Sequence, residues 1–114
     1  MTALQLEVFD VVVVPFPFTD RAASKRRPAL VLSSASFSKT TGHSVMAMIT
    51  SAEQSSWPGD VGITDLDAAG LPGACLVRLK LFTLDHRLIL KKAGELGALD
   101  REHLAERWRR LIFS

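Results

Sequence analysis

The sequence is a succession of short apolar runs separated by polar turns, and a helical pattern occurs only at its end. Short runs rich in branched apolar residues predict strands. The predicted strands are Phe9–Val14, Pro28–Ser33, Val45–Thr50, Cys75–Leu81 and Arg87–Lys92, with a further short one at Asp60–Ile63. This order predicts a mainly β (α+β) fold, a small and strongly bent barrel of five to seven strands with a C-terminal helix laid against it.

The connections between these strands carry few helical signals. Pro15 and Pro17 should end the first strand, because proline cannot donate a hydrogen bond to a sheet ladder. Residues Ser33–Ser44 are predicted to form a loop, and Glu53–Gly73 is predicted to be largely irregular. Residues Phe82–Asp85 should join the last two strands.

The basic segment before the second strand is the most charged part of the chain. A polar loop is predicted over Thr19–Arg27. It contains one acid, Asp20, and four cations: Arg21, Lys25, Arg26 and Arg27. Pro28 should be the first residue of the following strand. A residue that precedes proline favours an extended backbone, so Arg27 is expected to be extended at the loop–strand junction.

The last residues, Asp100–Phe113, predict the helix. Asp100 is expected to cap it, and Arg109 and Arg110 suit its negative C-terminal end. An apolar stripe at helical spacing should pack on the sheet. Its members are Leu104, Trp108, Leu111 and Ile112.

Length and composition predict one cytoplasmic domain over residues 1–114, with a formal net charge of +2. The single cysteine, Cys75, excludes a disulfide framework, suits a reducing compartment and is expected to be a small buried residue. Glu7 and Asp10, with no Lys or Arg before Arg21, do not fit a secretory signal, and no run is long enough to span a membrane. A mean hydropathy of +0.18 favours an apolar interface, with a second copy or a partner.

The sequence contains no recognisable metal-ligand or cofactor motif. The three histidines lack ligand spacing and are expected at surfaces or turns; they are His43, His86 and His103. Three aspartates resemble a calcium loop only loosely, so a solvated loop is expected there; they are Asp60, Asp65 and Asp67. We therefore expect no metal and no cofactor.

Two polar features remain. The cations Lys25, Arg26 and Arg27 lie at the mouth of a strand and could bind phosphate, or could form an ordinary basic loop. The hydroxyls of Thr50 and Ser51 end another strand, where they could instead satisfy terminal backbone groups. Because strand side chains alternate between faces, only one of these two hydroxyls should point at a given site.

The combined pattern resembles the PemK/MazF-type toxins of type II toxin–antitoxin systems. The resemblance rests on DVVVVPFPFTD at residues 10–20, KRRPALVLS at 25–33, the ITS that ends the third strand, VRLKLFTLD at 77–85 and the terminal helix. It implies an SH3-like barrel that acts as a homodimer and cuts single-stranded RNA without a metal or cofactor. A cognate antitoxin protein would block the groove at the dimer surface.

The same resemblance implies specific roles. Arg27 matches the family's key arginine before the proline of the second strand, and Thr50, with Ser51 as a close alternative, matches its threonine. Lys25 and Arg26 would bind the RNA backbone. Some relatives carry an acid in the strand that here contains Arg78 and Lys80; these two are expected either to bind RNA or to be solvated cations.

Two other functions fit the sequence. A barrel of this fold could poison a protein target such as a topoisomerase through its terminal helix, which ends in Trp108 and Phe113, although these two aromatics are expected to pack in the core. A barrel could also bind RNA without cutting it, in which case the hydroxyl of Thr50 would be dispensable.

Overall fold

The computed structural model describes residues 5–16, 25–53 and 56–113. Within these ranges the chain forms six strands and three α-helices. In chain order they are β1 (Asp10–Phe16), β2 (Lys25–Val31), α1 (Ala35–Thr41), β3 (His43–Ser51), β4 (Val61–Gly62), α2 (Leu66–Ala69), β5 (Cys75–Asp85), β6 (Lys91–Glu95) and α3 (Ala98–Phe113). The strands form one antiparallel sheet in the order β4-β5-β3-β2-β1-β6, curled into a half-barrel. The predicted mainly β fold with a C-terminal helix is confirmed.

Pro15 and Pro28 do not lie at the strand boundaries where they were expected. β1 continues through Pro15 to Phe16, and β2 begins at Lys25, three residues before Pro28. Each proline is tolerated because its strand has only one partner there: β1 leaves β6 after Val13, and β2 meets β3 only from Ala29. The cations 25–27 therefore lie in a strand rather than in a loop. The remainder of the predicted loop, with Pro17, Asp20 and Arg21, lies outside the described residues.

Two short helices occupy segments that were predicted to be irregular. The loop predicted at residues 33–44 contains α1, capped by Ser34, whose hydroxyl accepts from the amide of Phe37, and closed by left-handed Gly42. Asp65 caps α2, so it is not simply a solvated loop residue. These capping signals were present in the sequence, but the helices are too short to show an apolar periodicity.

The two last predicted strands have different bounds in the structure. Residues 75–85 form the single strand β5, and the following strand is β6 rather than residues 87–92. A 3₁₀ turn, His86–Leu88, joins them. The register between β3 and β5 shifts after Ala47, where a bulge lets the long strand bend with the sheet. A local apolar pattern does not reveal such continuity across a bulge.

The sheet carries an apolar cluster on each face. One cluster is covered by α3 through Leu104 and Trp108 and includes Val11, Leu30 and Ile49. Val12, Ala29 and Met46 belong to the other cluster, together with four further residues: Leu6, Val14, Val31 and Leu84. Alternation along β1, β2 and β3 thus buries both faces.

The terminal helix differs from its prediction in two respects. It begins at Ala98, and Asp100 lies within its first turn instead of capping it. The buried Asp100 carboxylate accepts hydrogen bonds from both backbone and hydroxyl of Thr64 and from the backbone of Asp65. The apolar stripe is buried only as far as Trp108, because Leu111 and Ile112 are about half exposed. None of the described helices is both long and apolar enough to cross a bilayer.

Candidate active site

A cleft opens where β2 and β3 cease to pair. Their ladder runs from Val31 to Ala29 and ends there, since the ring nitrogen of Pro28 has no hydrogen to donate. Each strand continues on its other partner, β2 on β1 and β3 on β5. The cleft between them is lined by Lys25, Arg26, Arg27, Pro28, Ile49, Thr50, Ser51 and Cys75.

Arg27 and Thr50 share one face of the sheet at this cleft. The last pair of the ladder is Ala29 with Met48, so two residues further along each strand the register places Arg27 opposite Thr50. Ser51 follows Thr50 without a bulge and therefore lies on the other face. Ser51 is exposed, and its hydroxyl accepts a hydrogen bond from the amide of Glu53 at 3.3 Å. Of the two hydroxyls left open by the sequence, Thr50 is the one that shares the face of Arg27.

The guanidinium of Arg27 is partly desolvated and incompletely paired. Its Nε is buried and has no hydrogen-bond partner within the described part of the chain. The Cζ atom lies 5.0 Å from the centroid of the Phe16 ring, which holds the guanidinium by a cation–π contact. A buried donor without an acceptor is unfavourable unless a ligand supplies one. Arg27 is therefore suited to binding an anionic oxygen.

The other two predicted cations of β2 are arranged differently. Lys25 lies two residues from Arg27 along β2 and so on the same face of the sheet, whereas Arg26 lies on the opposite face. Both are exposed. Besides the cleft, Arg26 lines a second groove with Lys91 and Lys92 of β6. The three consecutive cations thus reach two surfaces rather than one.

Arg78 is ion-paired, which corrects the expectation of a solvated cation. Its guanidinium donates to both carboxylate oxygens of Asp60, from Nε at 3.1 Å and from Nη2 at 3.0 Å. Both side chains are largely shielded from solvent, and Asp60 is thus no free loop acid. The hydrogen bond from Arg78 lowers the pKa of Asp60, and the same bond raises the pKa of Arg78. The acid that pairs with Arg78 thus comes from the segment before β4 and not from β5.

Lys80 is not a simple solvated cation either. Its Nζ lies 4.3 Å from the centroid of the Trp57 ring. Trp57 carried no signal in the sequence, because nothing local indicates that residues 57 and 80 meet. Lys80 therefore reaches an exposed aromatic ring instead of extending alone into solvent.

Cys75 and His86 are both partly shielded from solvent. Cys75 is only half-buried and lines the cleft, and burial raises the pKa of its thiol. His86 lies in the 3₁₀ turn with its Nε2 2.8 Å from the hydroxyl of Ser44, and burial lowers its pKa. No group of three or more His, Cys, Asp or Glu side chains within residues 5–16, 25–53 and 56–113 could hold a metal ion.

The sequence matches one protein-family model over residues 7–112, that of the PemK-like, MazF-like toxin of type II toxin–antitoxin systems. The chain belongs to this toxin family. The match spans every strand of the sheet and nearly all of α3, and so covers both sides of the cleft. The resemblance drawn from residues 10–33 and 77–85 is confirmed. No curated protein sequence matches the chain.

Solved structures of PemK/MazF toxins have the same fold. MazF from Deinococcus radiodurans aligns with a TM-score of 0.73 at 23% identity, covering 98% of this chain and 100% of that one. A MazE–MazF structure from the same organism aligns with a TM-score of 0.73 at 22% identity, covering 97% and 98%. An endoribonuclease in complex with its cognate antitoxin, from a mycobacterial species, aligns with a TM-score of 0.73 at 15% identity, covering 95% and 93%.

Proposed function

We propose that this PemK/MazF toxin is a metal-independent, sequence-selective endoribonuclease that cleaves single-stranded RNA and thereby inhibits translation and growth. One observation carries the proposal: the guanidinium of Arg27, whose buried Nε has no partner among the described residues, shares a cleft and a sheet face with the hydroxyl of Thr50. The description of the family as toxins, and of a structural relative as an endoribonuclease, supports it.

RNA carries the nucleophile for its own cleavage. The 2′-oxygen loses its proton and bonds to the adjacent phosphorus as the bond to the 5′-oxygen breaks, and the 5′-oxygen gains a proton. The products are a 2′,3′-cyclic phosphate and a 5′-hydroxyl. Because the attacking group belongs to the substrate, the enzyme can act by stabilising charge on the phosphate oxygens.

In this mechanism Arg27 donates hydrogen bonds to a non-bridging phosphate oxygen, including the one from Nε. A planar guanidinium suits this task better than a point charge. Its hydrogen bonds to the phosphate strengthen as negative charge builds on the oxygens. Thr50 donates a further hydrogen bond to the phosphate or the leaving oxygen. The RNA backbone on either side of the cleaved phosphate would be bound by Ser51, on the opposite face, and by Lys25 and Arg26 at the rim. Arginine stays protonated at ordinary pH and does not act as the base.

We further propose a homodimer and a cognate antitoxin as partners. The relatives include MazE–MazF structures and an endoribonuclease bound to its antitoxin, and this chain exposes apolar side chains that a partner could cover. The cleft offers cations beside the apolar Pro28 and Ile49. An antitoxin segment that combines carboxylates with apolar residues would complement it.

The decisive experiment incubates the protein with a long single-stranded RNA in EDTA and maps the cut ends. The wild type should give discrete cuts with 5′-hydroxyl ends, and Arg27→Ala should reduce the rate about a hundredfold or more. Arg87→Ala is the matched control, since Arg87 is an exposed arginine that pairs with the nearby Asp85. Equal cleavage by wild type and Arg27→Ala, or intact RNA with the wild type, would overturn the proposal.

A second function is favoured by the end of α3. Phe113 is 82% exposed, and its neighbours Leu111 and Ile112 are about half exposed, so the terminal turn presents an apolar tip. A toxin that holds a protein target such as a topoisomerase could use this tip. Growth arrest that survives Arg27→Ala but is lost on Phe113→Ser would favour that function over cleavage of RNA.

A further inference from the structure

The indole of Trp57 is exposed yet firmly placed. Its side chain lies at the surface with 41% of the residue accessible, while its Nε1 donates to the carbonyl of Leu79 at 3.3 Å. The backbone amide of Trp57 donates to the Asp60 carboxylate at 2.9 Å, and that carboxylate is held in turn by Arg78. An exposed aromatic ring that is fixed at both its backbone and its edge can bind a flat ligand with little loss of conformational entropy.

The other tryptophan illustrates the difference between a structural and an available ring. Trp108 is only 4% exposed, packs in the cluster beneath α3 and donates from Nε1 to the carbonyl of Gly59 at 2.8 Å. That ring closes the core. Among the described residues Trp57 belongs to neither apolar cluster, and its exposed part is open to a ligand.

The strand register connects Trp57 to the cleft. Arg78 pairs with Met48, two residues before Thr50 on β3, and so lies on the face of Arg27 and Thr50. Lys80 follows Arg78 by two residues, and its ammonium lies 4.3 Å from the Trp57 ring. Arg78 therefore links the face of the cleft to Asp60, and Lys80, further along β5, lies beside the Trp57 ring.

We propose that Trp57 is a base-stacking subsite for a nucleotide of single-stranded RNA next to the one cleaved, with Lys80 beside it to neutralise that nucleotide's phosphate. This inference rests on the proposed function, because the scissile phosphate is placed at Arg27 and Thr50. Single-stranded RNA presents unstacked bases that pack on aromatic side chains. Electrostatic attraction to the nearby ammonium keeps the backbone close to the ring.

The test uses tryptophan fluorescence and RNA that cannot be cut. Mixed-sequence oligonucleotides that are 2′-O-methylated throughout lack the attacking hydroxyl, so binding is measured apart from cleavage. The wild type should show quenching on titration. The chain has two tryptophans, and Trp57→Phe leaves the buried Trp108 as the only reporter, so quenching should be lost while RNA still binds.

The affinity of Trp57→Ala for these oligonucleotides should fall roughly 5- to 150-fold, with partial recovery in Trp57→Phe. Phe37→Ala is the matched control, because Phe37 is 42% exposed on α1 and lies outside the proposed track. It should bind as the wild type does. Equal urea midpoints for all variants would exclude loss of fold as the cause.

The outcomes separate the two proposals. Unchanged affinity of Trp57→Ala, quenching that persists in Trp57→Phe, or an equal loss in Phe37→Ala would overturn the subsite while leaving cleavage intact. A wild type that binds with Trp57 quenching but never cuts unmodified RNA would overturn the ribonuclease and the placement of the stacked base next to a cleaved nucleotide, while stacking on Trp57 itself would stand. A wild type that does not bind the oligonucleotides would overturn the subsite.

Discussion

Arg27 and Arg78 are half-buried arginines on the same face of one sheet, and they have opposite electrostatic surroundings. Asp60 lies opposite Arg78 and binds it through two oxygens, whereas the position opposite Arg27 is the neutral Thr50. The buried Nε of Arg27 has no acceptor among the described residues. The carboxylate opposite Arg78 makes that arginine part of the scaffold, whereas the hydroxyl opposite Arg27 leaves its guanidinium available to a ligand.

This difference has an energetic meaning. A guanidinium that keeps a buried N–H unsatisfied weakens the folded state, and the loss is offset when a ligand supplies the acceptor. The pair of Arg78 and Asp60 satisfies itself and ties the segment before β4 to β5. The same side-chain chemistry thus serves binding at one position and structure at the other, which variants at the facing positions can test.

The largest effect on cleavage is expected from placing a carboxylate opposite Arg27, so that both arginines face an acid. Thr50→Asp places a carboxylate opposite Arg27, as Asp60 lies opposite Arg78, and it would both neutralise the guanidinium and repel phosphate. Cleavage of single-stranded RNA should fall by about a hundredfold or more. Thr50→Asn, neutral and of similar size, is the control and should retain far more activity. A comparable loss of cleavage in both variants would mean that activity depends on the size of the side chain at position 50 and not on its charge.

A smaller effect is expected when the charge of Arg27 is kept and its planar fork is removed. Arg27→Lys should lower kcat for RNA cleavage about tenfold, because one charge-assisted hydrogen bond to the phosphate is lost. Single-turnover cleavage with excess enzyme measures this step directly. Wild-type kcat in Arg27→Lys would show that a point charge suffices and that the orphaned Nε has no catalytic role.

The smallest effect on cleavage is expected at the paired arginine, where stability changes instead. Asp60→Asn should lower the urea midpoint at pH 7 and should reduce cleavage less than either change above, an effect that acts through the hold of Asp60 on the Trp57 backbone. The hydrogen bond from Arg78 lowers the pKa of Asp60 below its ordinary 3.8, so the ionised form stabilises the folded state. This stabilisation is present above pH 3.8 and is lost as the pH falls through the folded pKa. The urea midpoints of wild type and Asp60→Asn should therefore converge in acid; a gap that stays constant would contradict the assignment.

Much of the fold follows from local patterns. Short branched apolar runs place strands, and the stripe of Leu104 and Trp108 places the terminal helix and its buried face. The errors have a common cause. Pro15 and Pro28 were expected at strand ends, but whether proline is tolerated depends on how many neighbours the strand has at that position. Helix α1 was missed because a helix closed by Ser34 and Gly42 within seven residues has little periodicity.

For the site, the sequence by itself determined the residue types: a guanidinium before a proline, and two hydroxyls at the end of a strand. These are local features, fixed by chemistry and by the backbone preference that proline imposes. Only the tertiary structure decided that Thr50 rather than Ser51 shares the face of Arg27, and that Asp60 pairs with Arg78. Register between distant strands sets both outcomes. A shift of one residue would reverse every face, and no local pattern reports which residue lies opposite which.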